Sequence, residues 1–160
     1  MRILALLALI IAVSLTGCRS APIPAFEPIA VPPGLSVQQV ELAILSGILN
    51  KPPPSDLEPR AILPEDEFHA LVWKHYLSEA RSRSWFPESR EPGVIRAAVN
   101  TRGHYLRVAL EFDQTSVRMR IEESRELLQT RTHIHRRAIK WINGLQAHIQ
   151  RELGRMALWS

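Results

Sequence analysis

Val94-Ile-Arg-Ala-Ala-Val-Asn-Thr-Arg-Gly-His-Tyr-Leu-Arg-Val-Ala-Leu-Glu-Phe-Asp-Gln-Thr-Ser-Val-Arg-Met-Arg-Ile121 alternates apolar and polar side chains with a period of two. Ile95, Ala97 and Val99 fall on one side of the segment 94–100. Leu106, Val108, Leu110 and Phe112 share a side of 105–112, and Val117, Met119 and Ile121 share a side of 116–121. This periodicity predicts three strands. Asn100-Thr-Arg-Gly103 and Asp113-Gln114 are short enough that consecutive strands must pair antiparallel, and Gly103 can take the positive φ of a tight hairpin. Such a sheet has one apolar face to bury and one polar face, the latter carrying Arg96, Arg107, Arg118 and Arg120.

Outside this stretch the apolar spacing is helical. Ser36 caps a segment reaching about Asn50, with Val37, Val40, Ile44 and Ile48 on one face and Gln38, Gln39 and Glu41 off it. Lys51-Pro-Pro-Pro-Ser-Asp56 must end that helix. A second helix is expected over Glu65–Arg81, where an acidic first turn follows Pro64, and Phe68, Leu71, Val72 and Leu77 form a less regular apolar face. Ile134, Ala138, Trp141, Ile142, Leu145, Ile149 and Leu153 trace a stripe on a last helix from Thr132 to Leu153. The expected fold is α+β: a three-stranded antiparallel sheet with helices packed on one face, in the order α-α-β-β-β-α.

The chain opens with Arg2, an apolar run from Ile3 to Val13, and Ser14-Leu15-Thr16-Gly17-Cys18. That is the pattern of a secretory leader, and the run is too short to span a bilayer, which takes about 20 residues. Leu15-Thr16-Gly17-Cys18 resembles a lipobox, which implies removal of 1–17 and acylation of Cys18. Cys18 is the only cysteine, so no disulfide can form within the chain. Arg19 follows it where an inner-membrane lipoprotein of enteric type carries Asp, so the resemblance favours the outer membrane, periplasmic side. From the lipidated Cys18, the proline-rich residues 18–34 read as a semi-rigid tether reaching about 45 Å at about 3 Å per residue. A single α+β domain then covers 35–155.

Of 20 Lys and Arg, Arg2 leaves with the leader, against 16 Asp and Glu, a mild basic excess. The exported compartment argues against nucleic acid and for anionic lipid head groups, an envelope protein or an anionic polymer as partners.

Phe26-Glu-Pro-Ile-Ala-Val-Pro-Pro-Gly-Leu-Ser-Val-Gln-Gln-Val-Glu-Leu-Ala-Ile44, Trp85, Arg102-Gly103-His104 and Ile134-His135 with Trp141-Ile142 and Leu145 resemble a small uncharacterised lipoprotein family of proteobacteria. There a Val-x-x-Ala-Ile helix, an Arg-Gly-Trp helix end, an Arg-Gly-His hairpin and a terminal Ile-His…Trp-Ile-x-x-Leu helix follow one another. The resemblance covers about two thirds of the mature chain and implies no enzymatic activity or ligand. Against that pattern, residues 51–81 read as an inserted loop and helix. Ala138-Ile139 stands in place of Tyr-Asn, and Glu123-Ser-Arg-Glu-Leu127 in place of Asp-Ser-x-Asn-Leu.

Several constellations invite chemistry. His133 and His135 would share a face of a strand but diverge by about 200 degrees at a helix start, so with His104 they make a poor metal set. His135 fits packing or hydrogen bonding at the helix entry, and His69, His75 and His148 fit helix surfaces. Glu65-Asp66-Glu67 suits a helix N-terminus, and Glu122-Glu123 reads as lying past a strand end. No nucleophile elbow, P-loop, dinucleotide fingerprint or catalytic thiol occurs. Trp73, Trp85, Trp141 and Trp159 could line a groove, but Trp85 and Trp141 better suit the core, and Trp159 suits a frayed or surface-bound end. The expectation is a non-catalytic envelope protein with no cofactor and no metal. Arg96, Arg107, Arg118 and Arg120 read either as a face that contacts an anion or a partner, or as plain solvated surface.

Overall fold

The computed structural model describes residues 20–52, 64–79 and 85–158. The segment expected to be a leader, Cys18, residues 53–63 and Trp159 lie outside the described residues. The elements run β1 (Ser20–Pro22), β2 (Ile29–Ala30), α1 (Val37–Leu49), α2 (Glu65–Glu79), β3 (Trp85–Glu91), β4 (Val94–Thr101), β5 (His104–Phe112), β6 (Ser116–Arg125), β7 (His133–His135) and α3 (Arg136–Ala157).

The α+β class holds, but the main sheet has five strands where the sequence predicted three. Its order is β2-β6-β5-β4-β3 with every neighbouring pair antiparallel, and β1 and β7 form a separate two-stranded ribbon. The three predicted strands are its centre, β4, β5 and β6. The two added strands are both edges and both contain or adjoin proline. An edge strand leaves one row of amides unpaired, so a missing N–H costs the ladder nothing there. β3 carries Pro87 beside an irregularity at Glu88, between the pairs Pro87↔Ala97 and Ser89↔Arg96. The β4–β5 loop is Arg102-Gly103, with φ of 52° and 81°, the mirror-image turn whose twist suits a two-residue hairpin.

Residues 20–34 are not a free-standing tether. Ser20, Ala21 and Pro22 pair with His135, Ile134 and His133, and the Ile23 amide donates to the Thr132 carbonyl at 2.9 Å. Ile29 and Val31 are buried, Ile23 and Phe26 pack against the core, and Val31 N donates to Thr115 O. The prolines alternate with apolar residues that the domain needs to cover its own core. A proline-rich lead read as a tether can therefore dock along the edges of the fold instead.

The apolar sheet face, Ile95, Ala97, Val99, Leu106, Val108, Leu110, Phe112, Val117 and Met119, forms one buried cluster with α1 and α3. α1 starts at a capping box: Ser36 Oγ accepts from Gln39 N at 3.2 Å, and Gln39 Oε1 accepts from Ser36 N at 2.8 Å. Every residue from Val40 to Ile48 is buried, including Glu41, because α3, α2 and β3 all pack around this helix. Glu41 was expected off the apolar face. It is instead 3% exposed and clamped by Arg90 of β3, with Nε and Nη2 on its two oxygens. Val37, predicted on the buried stripe, is exposed. α3 begins four residues later than predicted, because Ile134 and His135 are drawn into β7, and runs on to Ala157.

Candidate functional site

Arg96, Arg107 and Arg120 do share the outer face of the sheet, in register across β4, β5 and β6: Arg96 lies opposite Ala109, Ala109 opposite Arg120, and Arg107 opposite Ala98. Arg118 lies opposite Glu111 on the same face. Ala98 and Ala109 are fully buried beneath these side chains.

Two ladder irregularities change the chemistry of this face. In the β5–β6 ladder Arg107 pairs with Glu123 while Val108 pairs with Ile121, so Glu122 is an extra residue; Glu88 is the extra residue of β3. A bulge lets neighbouring side chains emerge together, and here each one delivers a carboxylate onto the arginine face. Glu122 and Glu123, read from the sequence as past a strand end, lie within β6.

Glu122, with its side chain 11% exposed, meets Arg96 Nε at 3.0 Å and Arg120 Nη2 at 2.9 Å, and lies 3.4 Å from Arg107 Nε. This last contact is charge attraction without hydrogen-bond geometry. Glu91 holds Arg96 at 2.7 Å, Glu111 holds Arg120 at 2.9 Å, and Glu123 contacts Arg107 at 3.2 Å and Arg125 at 2.7 Å. Glu88 accepts from Tyr105 Oη at 2.9 Å and lies 3.4 Å from Arg107 Nη1, and the Arg125 guanidinium sits 4.7 Å over the Tyr105 ring. The hydrogen bond to Glu91 and the charge of Glu122 raise the Arg96 pKa above its ordinary value; Glu111 does the same to Arg120. Burial and then Glu88 push the Tyr105 hydroxyl up. Arg96, Arg107 and Arg120 thus face a matching set of carboxylates, whereas Arg118 has none within ion-pair distance among the described residues. An incoming anion would have to displace Glu122 from three of them.

A different surface carries Arg137, which makes no ion pair among the described residues. At the head of α3 an open cleft of about 480 Å³ is lined by His104, Glu126, Leu128, His135 and Arg137. The β4–β5 hairpin brings His104 here, where its Nδ1 donates to the Glu126 carbonyl at 2.6 Å and its ring stacks on His135 at 6.0 Å. Trp141, one helical turn in, lies 6.5 Å from the His104 ring. His135 caps α3, its Nδ1 accepting from Arg137 N at 3.1 Å, which leaves Nε2 to carry the ring proton. Residues far apart in sequence, Arg102-Gly103-His104, His135 and Trp141, therefore meet at one end of the domain.

His133 bonds Thr132 Oγ1 instead of lining the cleft. Among the described residues, no group of three or more His, Cys, Asp or Glu is arranged to hold a metal ion.

From 126 to 140 the only acid is Glu126, against Arg131, Arg136, Arg137 and Lys140, all exposed. No acidic residue lies in the first turn of α3, where the helix dipole would favour one. Sequence reasoning missed this cluster because its cations are spread over a loop, a cap and a helix start; the lack of acids between 127 and 140 was the available signal. Leu128, 59% exposed at a φ of 51°, stands among them. No helix among the described residues is long and apolar enough to cross a membrane. No family model, curated protein or solved structure matches this chain.

Proposed function

We propose that this protein is a cell-envelope lipoprotein, acylated on Cys18, that serves as a non-catalytic interaction or accessory protein at the periplasmic side of the outer membrane. The observation that carries the reading is the sequence Leu15-Thr16-Gly17-Cys18, at the end of an apolar leader and holding the chain's one cysteine. A two- or three-chain anchor buries enough methylenes, at about 0.8 kcal/mol each, to make attachment permanent. The interaction half of the reading is supported by the open cleft at the head of α3, where Arg137, His104 and His135 stand beside Glu126 and the exposed Leu128. The pairing of Arg96, Arg107 and Arg120 with glutamates argues against the sheet face as the principal contact.

Metabolic labelling with a clickable fatty acid tests the anchor. Wild type is expected to take the label and fractionate with outer membranes, whereas Cys18→Ala accumulates as an unlabelled precursor. Equal labelling of both proteins would sink the lipoprotein reading.

A further inference from the structure

We infer that the corner formed by β7, the 126–132 loop and the start of α3 lies directly on the bilayer and binds anionic phospholipid head groups through Arg131, Arg136, Arg137 and Lys140, with Leu128 entering the interface. The inference rests on acylation of Cys18 and adds an orientation to it.

Chain length is the first argument. Cys18 precedes Ser20 by two residues, a span of at most about 7 Å. Ser20 is fixed opposite His135, and the His135 amide donates to the Leu127 carbonyl on the other side of β7. Ser20 and Leu127 are thus two strand spacings apart, about 10 Å. A lipid on Cys18 brings the corner to the membrane surface, where an extended tether over 18–34 would have held the domain away.

Charge is the second argument. Among the described residues Arg131, Arg136, Arg137 and Lys140 make no ion pair, in contrast to Arg96, Arg107 and Arg120 on the sheet, which are held by carboxylates. Each basic residue near an anionic leaflet multiplies membrane partitioning by about fivefold, and the effect fades within a Debye length of about 8–10 Å. Two residues of chain and one strand spacing separate Cys18 from His135, so Arg136 and Arg137 follow at about one Debye length from the anchor. Leu128 supplies an apolar side chain at the same surface, while Leu158, another strongly exposed leucine, lies past the far end of the 22-residue α3, a helix about 33 Å long.

The test uses the full lipidated chain in phosphatidylcholine vesicles with and without phosphatidylglycerol. An environment-sensitive thiol probe is attached at Leu128→Cys or, separately, at Leu158→Cys. Acylation blocks Cys18, so one probe per chain reports the anchor and two report its absence. With phosphatidylglycerol present, position 128 should be blue-shifted and several-fold less quenched by iodide than position 158. Replacing Arg131, Arg136, Arg137 and Lys140 with Gln in the 128 protein should abolish that protection while the melt and the one-probe stoichiometry stay unchanged.

Equal quenching at 128 and 158 in singly labelled protein would overturn the orientation and leave the anchor standing. Two probes per chain would overturn both. Protection that does not depend on phosphatidylglycerol would overturn the head-group contact, and protection lost on dilution in lipid would assign the corner to a second copy of the chain.

Discussion

Glu122 organises the outer sheet face more than any arginine does. It is an extra residue in the ladder, is nearly buried, and touches three guanidinium groups. Removing its charge leaves Arg96 and Arg107 crowded beside Arg120. Because these partners are 24–56% exposed, solvent screens part of the effect. Glu122→Gln is expected to cost about 1–2 kcal/mol in urea melts, whereas Arg118→Gln, which breaks no ion pair, should stay within about 0.5 kcal/mol.

Asp113 makes a second residue-scale prediction. Its Oδ1 accepts from Thr115 Oγ1 and Thr115 N at 2.6 Å and from Ser116 N at 2.9 Å, closing the β5–β6 turn. The Thr115 hydroxyl first, and then the two backbone amides, hold its pKa below the ordinary 3.8. A carboxylate more acidic in the folded state stabilises above its unfolded pKa and loses that contribution as the pH falls through the folded value. The stability gap between wild type and Asp113→Asn should therefore be full at neutral pH and close progressively below pH 3.8, read from urea midpoints.

At the scale of elements, the contact between α1 and α3 depends on Gly47. A Cβ there would stand 2.8 Å from both Cα and Cγ1 of Ile149, closer than packed atoms come, and one of these is backbone. Ala favours helix over Gly by about 1 kcal/mol, yet the two helices would have to move apart in a core whose other side chains, Ile44, Ile48, Leu145 and Ile149, are fully packed. Overpacking should win. Gly47→Ala is expected to lower stability by about 1–3 kcal/mol in thermal or urea melts. A neutral or stabilised variant would mean that the helices can separate freely at this crossing. The Glu41–Arg90 clamp belongs to the same scale, since it ties α1 to the edge strand β3 with two oxygens and two nitrogens. It explains how a charged residue sits inside a helix that is buried on every side.

For the whole molecule, the consequential feature is that the domain begins at Ser20 instead of Leu35. β1 closes on β7, β2 adds an edge to the main sheet, and the segment from Ile23 to Val31 covers the core with Ile23, Phe26, Ile29 and Val31. If this segment is integral, Ile29→Ala should cost about 2–4 kcal/mol in denaturant melts, as large-to-small core changes do. A flexible lead would give a change within about 0.5 kcal/mol. Under the proposed acylation of Cys18 this distinction sets the orientation, because a docked segment would transmit the position of the anchor to the fold and a flexible one would not.

The period of two over 94–121 and the spacing of Ile142, Leu145, Ile149 and Leu153 determined three central strands, the last helix and the α+β class, because local side-chain spacing follows backbone geometry. Ser36 and Gly103 likewise marked a cap and a turn through local chemistry alone, and both act as those residue types require. The proposed leader and lipidated Cys18 would be read by peptide-processing chemistry from local sequence, so the anchor proposal needs no fold. Tertiary structure alone decided the rest. Edge strands carry weak local signals, since half their amides need no partner and proline is allowed, so β1, β2 and β3 emerged only once a sheet existed to receive them. Glu122 reached the arginines through a ladder irregularity, and Glu41 found Arg90 across 49 residues of chain. The open cleft required His104, Glu126 and His135 to meet from a hairpin, a loop and a helix cap. Which cations are neutralised and which are left for a partner is a property of pairing across strands and turns. Composition counts those charges, and only the folded chain distributes them.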